Sequence, residues 1–284
     1  MTTLADLAEL VRAPAALSVP GDVVAGAAAA GALGPRTPAL AGASVLLYWA
    51  GMAANDWADR RLDADERPER PIPSGRVTPA AAVGLAAGLT AAGVGLAAAV
   101  GGRRAAALAV PLAATIWGYD LLAKNTAAGP AVMAACRGLD VLLGASSGRV
   151  TRALPAAVTV AAHTWTVTAL SRREVTGADP TLPMCTLAGT AVVAASAAVV
   201  APRRVAALPA VLAGWYAARY GAAQAEVVRD PSAGRVRAAV GAGITGLPAL
   251  QGALTARGGA GLLGLAVAAA APLGRLLARK VSPT

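Results

Sequence analysis

The stretch that decides the fold is an apolar run, PALAGASVLLYWAGMAA at residues 38–54, followed directly by NDWADRRLD at residues 55–63. A run of this length is typical of a helix that crosses roughly 30 Å of hydrocarbon. On a helix, Asp56, Asp59 and Asp63 follow i, i+3, i+7 spacing and share one face. Like charges on one face repel each other unless a cation neutralises them, and Mg²⁺ prefers a few carboxylates plus substrate phosphates. The stretch therefore predicts a metal–diphosphate site at a membrane surface.

The composition extends the membrane interpretation to the rest of the chain. Of the 284 residues, 56% are hydrophobic and only 14% are charged, unlike a soluble domain. Apolar stretches lie near 15–33, 38–54, 78–100, 105–122, 131–148, 153–170, 183–201, 205–222, 236–256 and 260–278. A soluble Ala-rich bundle would need polar outer faces, which these stretches lack. We predict an all-α, polytopic integral membrane bundle of nine to ten transmembrane helices, forming one domain over residues 1–284.

The positive charge follows the expected membrane topology. With the Asp-rich loop in the cytoplasm, sixteen of the 25 Lys and Arg residues fall on that side, eight fall outside and Arg137 lies within a span. This agrees with the positive-inside rule. Because the basic residues form no continuous patch, we expect a lipid bilayer and no nucleic acid as the partner. The prediction is a multi-pass plasma-membrane protein without a cleaved signal peptide, its active site facing the cytoplasm.

Local signals mark the loops and the isolated side chains. Pro68, Pro71 and Pro73 end the helix that carries the aspartates, because proline lacks an N–H and restricts its predecessor. Cys136 and Cys185 have no C-x-x-C pattern, so we expect two reduced, packed thiols. The single histidine, His163, has no partner histidine, which argues against zinc or haem and favours a hydrogen-bonding role.

The Asp-rich stretch also carries a family resemblance. NDWADRRLD, followed by RPERPIPSG at residues 67–75, resembles the first Asp-rich motif of the UbiA superfamily of intramembrane prenyltransferases. The hydrophobic framework extends the match over almost the whole chain. The resemblance implies that an isoprenyl diphosphate donor and Mg²⁺ are bound by Asn55, Asp56, Asp59 and Asp63. It also implies diphosphate binding by Arg67 and Arg70.

A second segment adds a cation to this site. YDLLAK at residues 119–124 is similar to the Tyr-x-x-x-x-Lys segment of the superfamily. The resemblance makes Lys124 a catalytic, diphosphate-binding residue that acts as a mobile point charge. The alternative is a lysine that serves only membrane topology.

The second Asp-rich motif departs from the superfamily pattern. SRREVTGAD at residues 171–179 lies in the expected loop, but Ser171 stands where we align the first aspartate. Either Glu174 is a metal ligand, or one Mg²⁺ is held mainly by the first motif. Arg172 and Arg173 are predicted diphosphate ligands. Together with CRGLD at residues 136–140, this segment resembles the EboC-like branch of the superfamily.

Ionisable side chains within the spans are the candidates for acceptor binding. Charged groups in hydrocarbon are expensive and mark functional sites by default. We therefore predict that Asp22, Arg137 and Asp140, together with Tyr119, bind the acceptor. The alternative is internal pairing, of Arg137 with Asp140 or of Asp22 with a neighbour, that only holds the bundle together.

The resemblance implies a Mg²⁺-dependent prenyltransferase that acts on a small polar or aromatic acceptor. Two alternatives stay open. A membrane transporter also carries intramembrane charges, although it has no clear need for three metal-spaced carboxylates at its surface. A non-catalytic UbiA-like protein is suggested by the altered second motif.

Overall fold

The computed structural model describes residues 2–199 and 207–270, and within these ranges the chain is helical and has no β-strand. The helices are α1 (Leu4–Leu10), α2 (Pro20–Ala30), α3 (Thr37–Glu66), α4 (Pro79–Gly118), α5 (Gly129–Gly144), α6 (Val150–Ser171), α7 (Thr181–Ala198), α8 (Ala207–Arg229), α9 (Ala233–Arg257) and α10 (Gly261–Ala270). Short 3₁₀ turns cover Ala13–Ser18 and Ala145–Ser147. The predicted all-α architecture is confirmed.

Helix α3 carries the apolar run and the aspartates as one continuous element. It begins at Thr37 and continues to Glu66. Arg67 then leaves the helical conformation, with φ −148° and ψ 62°, because the following residue is Pro68. The predicted continuous helix and its proline-determined end are both confirmed.

Helix α4 is a hairpin of two helical segments broken at Gly102. This glycine has φ 65° and ψ −157°, a conformation that residues with a side chain rarely adopt. The indole Nε1 of Trp117 donates to Oγ1 of Thr90 at 3.1 Å, although 27 residues separate them. On a straight helix these residues would lie about 40 Å apart. The two predicted spans, 78–100 and 105–122, therefore fold back on each other through a very short link.

Two glycines bring α2 and α5 into backbone contact. A methyl group on Gly26 would lie 1.8 Å from the carbonyl oxygen of Val141, and one on Gly144 would lie 2.0 Å from that of Val23. No side chain fits at either position, so both contacts require glycine. This close approach places the polar residues of α2 beside those of α5, and α2 also packs against α3, α6 and α9.

The membrane interpretation has a structural counterpart. Four helical segments in the described ranges are long and apolar enough to cross a membrane: Thr37–Glu66, Pro79–Ala123, Val150–Ser171 and Thr181–Ala198. Helix α10 is a shorter apolar helix, and its Gly264 packs closely against Gly252 of α9. The predicted tenth span, 260–278, continues beyond residue 270 and thus lies partly outside the described residues. The total of nine to ten spans stays a prediction.

Helices α6 and α8 share a buried polar network, called here the tyrosine network: His163, Thr166, Tyr216 and Tyr220. Nδ1 of His163 hydrogen-bonds the Tyr216 hydroxyl at 2.8 Å, and the Thr166 hydroxyl lies 3.2 Å from that of Tyr220. All four side chains are buried. The hydrogen-bonding role predicted for His163 is confirmed.

The two cysteines differ in their surroundings. Cys136 is buried, as predicted, whereas Cys185 is exposed. The prediction of a packed thiol is wrong for Cys185, because α7 turns this side chain towards the outside of the bundle.

Candidate active site

The carboxyl-terminal end of α3 holds buried carboxylates against arginine. Asp56 is 5% exposed and Asp63 is 2% exposed. Nη1 of Arg70 lies 3.3 Å from Oδ1 of Asp56 and 2.7 Å from Oδ2 of Asp63, so one guanidinium joins both carboxylates. Arg67 adds a longer contact of 3.7 Å to Asp63. The aspartates thus share one inward face of the helix, as their spacing predicts.

The end of α4 supplies the opposite wall of this site. Residues Tyr119–Ala123 form a π-helical turn, in which the backbone N–H of Lys124 donates to the Tyr119 carbonyl at 2.9 Å. Such turns are frequent at functional sites. Nζ of Lys124 lies 2.5 Å from Oδ1 of Asp59, and the amide of Asn55 donates to Asp120 at 3.1 Å. The predicted meeting of Lys124 with the Asp-rich motif is present, and Asp120 is a site carboxylate that sequence reasoning missed.

Arg12 is a second site residue that sequence reasoning missed. Its Nη2 donates to Oδ1 of Asp56 at 2.8 Å, across 44 residues of sequence. Its backbone is left-handed, with φ 48° and ψ 50°, and Arg12 is the only non-glycine residue with a positive φ in the described ranges. Backbone strain of this kind clusters at functional sites, where the surrounding structure maintains it. The nearest sequence signal is the proline two positions later, which restricts the chain after Arg12.

A set of ion pairs fixes α1 to the proline-rich loop and so positions Arg12. Nη1 of Arg76 lies 2.8 Å from Asp6 and 2.7 Å from Glu9. Asp6 also forms a capping box with Thr3 at the start of α1. Hydrogen bonds from Thr3, with a further contribution from Arg76, lower the pKa of Asp6 to about 2. The Asp6 carboxylate therefore keeps its charge well into the acidic range.

We call the complete set the cation–carboxylate site. Its members are Arg12, Asn55, Asp56, Asp59, Asp63, Arg67, Arg70, Asp120 and Lys124. Carboxylate and amide oxygens are the ligands that Mg²⁺ prefers in proteins. Each aspartate of the first motif faces an arginine or lysine nitrogen, which shows that these oxygens are oriented to bind positive charge. The donor set therefore fits Mg²⁺ by its chemistry.

The loop that carries the altered second motif, residues 171–179 and called here the second loop, lies against the end of the bundle formed by α8 and α9. The guanidinium of Arg237 donates to the backbone carbonyl of Glu174 at 2.7 Å, and the Ala178 N–H donates to the Pro231 carbonyl at 3.0 Å. Burial raises the pKa of the Glu174 carboxyl, while Arg237 opposes this effect. Across residues 2–199 and 207–270, no three His, Cys, Asp or Glu side chains converge as a metal-binding group. The metal roles of Glu174 and of Asn55, Asp56, Asp59 and Asp63 therefore stay predictions.

The arginines of the second loop take different positions. The guanidinium of Arg172 donates to the backbone carbonyl of Thr126, which follows Lys124 by two residues in the sequence. Arg173 is exposed. Asp179 accepts from the Thr181 N–H at 3.0 Å at the start of α7, and its hydrogen bonds with Thr181 lower its pKa. The diphosphate contacts of Arg172 and Arg173 stay predictions.

A cavity lies between the cation–carboxylate site and the interior of the bundle. Its lining consists of Val19, Ser44, Leu47, Tyr48, Gly51, Met52, Leu112, Ile116, Tyr119, Asp120, Met133, Cys136, Arg137 and Asp140. Asp120 belongs to both the cavity and the cation–carboxylate site. Tyr119, Arg137 and Asp140 line the cavity, as expected of residues predicted to bind an acceptor.

The interior end of the cavity carries a second polar group, called here the deep cluster: Asp22, Ser44, Arg137 and Asp140. Nε of Arg137 lies 2.8 Å from Oδ2 of Asp22, whose Oδ1 accepts from Gln251 at 2.6 Å. The Ser44 hydroxyl donates to Asp140 at 2.5 Å. Asp22 thus pairs with its neighbours Arg137 and Gln251, as one form of the internal-pairing alternative expected. The other form, a pair of Arg137 with Asp140, is wrong. Asp22 is fully buried behind Arg137 and does not line the cavity.

These features define a class: an α-helical membrane protein in which a cluster of carboxylates paired with arginine and lysine lies at one end of a largely apolar cavity. Comparison with known families makes the class specific. The UbiA prenyltransferase family matches residues 18–225, and the chain belongs to this family. The matched region contains every residue of the cation–carboxylate site except Arg12.

Curated relatives share shorter stretches with the chain. Digeranylgeranylglyceryl phosphate synthase of Methanopyrus kandleri is 42% identical over 76 residues, which are 27% of this chain and 28% of that protein. The synthase of the same name from Ignicoccus hospitalis is 41% identical over 93 residues, which are 33% of this chain and 31% of that protein. The chain thus spans less than a third of the length of these relatives.

Solved structures show the fold over nearly the whole chain. An apo structure of a UbiA homologue from Aeropyrum pernix K1 matches with a TM-score of 0.64 and 19% identity, over 88% of this chain and 96% of that one. A structure from work on digeranylgeranylglyceryl phosphate synthase in membranes matches with a TM-score of 0.68 and 14% identity, over 89% and 97%. At these identities the likeness is one of fold.

Proposed function

We propose that the chain is a Mg²⁺-dependent intramembrane prenyltransferase that moves a prenyl group from an isoprenyl diphosphate to a small polar or aromatic acceptor. The observation that carries this proposal is that the charged site opens directly into an apolar cavity. The Asp-rich end of α3, faced by Arg12, Arg70 and Lys124, meets a largely apolar cavity at Asp120. A diphosphate headgroup fits the charged end, and the reacting end of a prenyl chain fits the apolar part.

The charged end would bind the donor through both kinds of group. Asn55, Asp56, Asp59 and Asp63 would hold Mg²⁺, which when bound offsets the charge of the diphosphate as it leaves. Arg12, Arg67, Arg70 and Lys124 would donate hydrogen bonds to the diphosphate oxygens, with Arg172 and Arg173 of the second loop on the same side. Charge-assisted bonds of this kind are the strong ones. This set of cations lowers the barrier to breaking the allylic C–O bond by stabilising the charge that develops on oxygen.

The apolar wall would protect the reacting carbon. Leu47, Gly51 and Ile116 line the cavity next to Asp120 with hydrocarbon groups that carry no hydroxyl or amine. A cavity that excludes water prevents hydrolysis of a reactive allylic cation and strengthens the electrostatic interactions around it. The protein holds the acceptor at a short distance from that carbon, and this positioning supplies a large part of the rate.

The acceptor would bind at the opposite, polar end of the cavity. Arg137 and Asp140 line that end, with Asp22 acting through its ion pair with Arg137, whereas Tyr119 lines the cavity nearer to Asp120 and would contact the acceptor from there. The relatives are named for a glyceryl phosphate product.

The membership of this chain in the EboC-like branch stays a prediction, as does a cytoplasmic active site in the plasma membrane.

The proposal is tested by transfer of the prenyl group from radiolabelled geranylgeranyl diphosphate to a mixture of small polar and aromatic acceptors, with release of diphosphate, in proteoliposomes that contain the full chain and Mg²⁺. Asp59→Ala removes the partner of Lys124 and should lower the transfer rate by roughly 10²–10³-fold. Asp65→Ala is the matched control, because Asp65 lies on the same helix and is exposed. Equal rates in wild type and Asp59→Ala would refute the assigned donor site. Uptake of donor into the vesicles without transfer would favour a transporter.

A further inference from the structure

We infer that the acceptor is an uncharged compound with two or more hydroxyl groups, bound at the deep cluster by Arg137, Asp140 and Ser44. This inference rests on the proposed function and deepens it by naming the substrate class. Three observations carry it: the placement of polar groups along the cavity, their net charge, and their hydrogen-bonding capacity.

The polar groups divide the cavity into ends with different chemistry. Ser44 and Asp56 both lie on α3, twelve residues apart, which is about 18 Å along a helix. Between them, Leu47, Gly51 and Met52 present an apolar wall. A prenyl chain has no polar atom and would offer no partner to the remaining Arg137 N–H groups or to the Asp140 oxygen that does not accept from Ser44, which is costly. The deep cluster is therefore suited to the polar body of the acceptor.

The charge of the deep cluster disfavours an anionic ligand. Arg137 contributes one positive charge, and Asp22 neutralises it at 2.8 Å. Asp140, three residues further along α5, adds a negative charge or, when protonated, none. With Asp22 ionised in its pair with Arg137, the net charge of the cluster is thus zero or negative. A carboxylate or phosphate here would be a buried charge without a counterion, and such burial costs several kcal/mol or more.

The same groups are well suited to hydroxyls. A hydroxyl donates one hydrogen bond and accepts up to two. The guanidinium of Arg137 has five N–H donors, of which Nε holds Asp22 and Nη2 holds the Ser18 carbonyl at 3.4 Å. Asp140 accepts from Ser44 through Oδ1, and its carboxylate lines the cavity. A ligand hydroxyl that donates to Asp140 and another that accepts from Arg137 would satisfy both side chains.

The test uses acceptor pairs that differ mainly in charge. Proteoliposomes with the full chain, Mg²⁺ and geranylgeranyl diphosphate receive myo-inositol or myo-inositol 1-phosphate, a 1-O-alkylglycerol or its 3-phosphate, and 4-hydroxybenzyl alcohol or 4-hydroxybenzoate. We expect the uncharged member of at least one hydroxyl-rich pair to be prenylated with at least about a tenfold higher kcat/KM, a difference of 1.4 kcal/mol. Higher kcat/KM for the charged member of every reactive pair would overturn the inference.

A conservative variant isolates the role of charge. Asp140→Asn keeps the size of the side chain and removes its charge, so the preference for uncharged over anionic acceptors should fall about tenfold. Asp65→Asn, on the exposed side of α3, is the matched control and should leave the preference unchanged. An unchanged preference in Asp140→Asn would place the acceptor elsewhere and overturn the inference.

Donor binding separates this inference from the proposed function. Binding of geranylgeranyl thiolodiphosphate with Mg²⁺ is measured by calorimetry on the same preparations. If the analogue does not bind to wild type, the proposed function fails together with this inference. If it binds and only anionic acceptors, or none, are prenylated, the inference on the acceptor fails and the donor site stands.

Discussion

The two halves of the bundle use buried polar groups in different ways. In the first half, residues 20–147, the buried polar groups include five carboxylates, and two of these, Asp120 and Asp140, line the cavity. In the second half, residues 150–257, the tyrosine network consists of hydroxyl and imidazole groups that bond to each other. Its three rings pack edge-on or tilted, with centroids 5.3 to 6.1 Å apart.

This difference separates a site from a structural network. A buried polar group is stable when its partners lie within the protein, and the tyrosine network meets this condition by itself. Asp56 and Asp63 share one Arg70 nitrogen, an arrangement that also suits the arrival of a divalent cation and an anionic ligand. We therefore assign the main donor site to the first half, to which Arg172, Arg173 and Glu174 of the 171–179 loop are proposed to contribute. Support of the bundle is assigned to the tyrosine network of the second half.

Among the variants that compare the two halves, the largest effect is expected at Arg70. Arg70→Gln removes the guanidinium that joins Asp56 and Asp63, and with it a donor to the diphosphate. The kcat/KM for prenyl transfer should fall by about 10² or more. Arg61→Gln, on the exposed side of α3, is the matched control. If Arg70→Gln unfolds, Arg70→Lys keeps a positive charge and should recover folding with part of the activity. A stable, fully active Arg70→Gln protein would contradict the assignment of donor binding to the first half.

A smaller effect, on stability alone, is expected in the tyrosine network. Tyr216→Phe removes the hydroxyl that bonds His163 and leaves the ring in place. Hydrogen bonds inside membranes are worth about 0.6 to 1.7 kcal/mol, so thermal unfolding in detergent should shift by a few degrees. The kcat/KM and the Mg²⁺ requirement should be unchanged. A large loss of transfer in a folded Tyr216→Phe protein would give the second half a catalytic role.

The smallest effect is expected at Glu174. If this residue is a metal ligand, Glu174→Gln replaces an anionic oxygen with a neutral amide and raises the Mg²⁺ concentration for half-maximal rate several-fold. Asp179→Asn, which alters the cap of α7, is the control in the same loop. An unchanged Mg²⁺ titration for Glu174→Gln, with donor affinity intact, would leave the metal to Asp56, Asp59 and Asp63 of the first half alone.

Much of this architecture follows from local sequence. The i, i+3, i+7 spacing placed Asp56, Asp59 and Asp63 on one face, because helical periodicity is a local property. Pro68 predicted the end of α3 for the same reason, and the apolar stretches on either side of residues 101–104 predicted the break that the structure places at Gly102.

What the sequence did not predict depends on contacts between distant segments. Arg12 meets Asp56 across 44 residues, and Gln251 meets Asp22 across 229. No periodicity specifies such pairs, because they depend on how helices pack. The pairing of Arg137 with Asp22 follows from the close approach of α2 and α5, which Gly26 and Gly144 permit.

The most direct test of the account is metal-dependent donor binding to the first half. Calorimetry measures geranylgeranyl thiolodiphosphate binding to the purified chain with and without Mg²⁺, for wild type, Asp59→Ala and Asp179→Ala. We predict Mg²⁺-dependent binding that weakens by at least about a hundredfold in Asp59→Ala, or 2.8 kcal/mol, and is unchanged in Asp179→Ala. Binding that survives Asp59→Ala and is lost in Asp179→Ala would contradict the account and place the donor on the second loop.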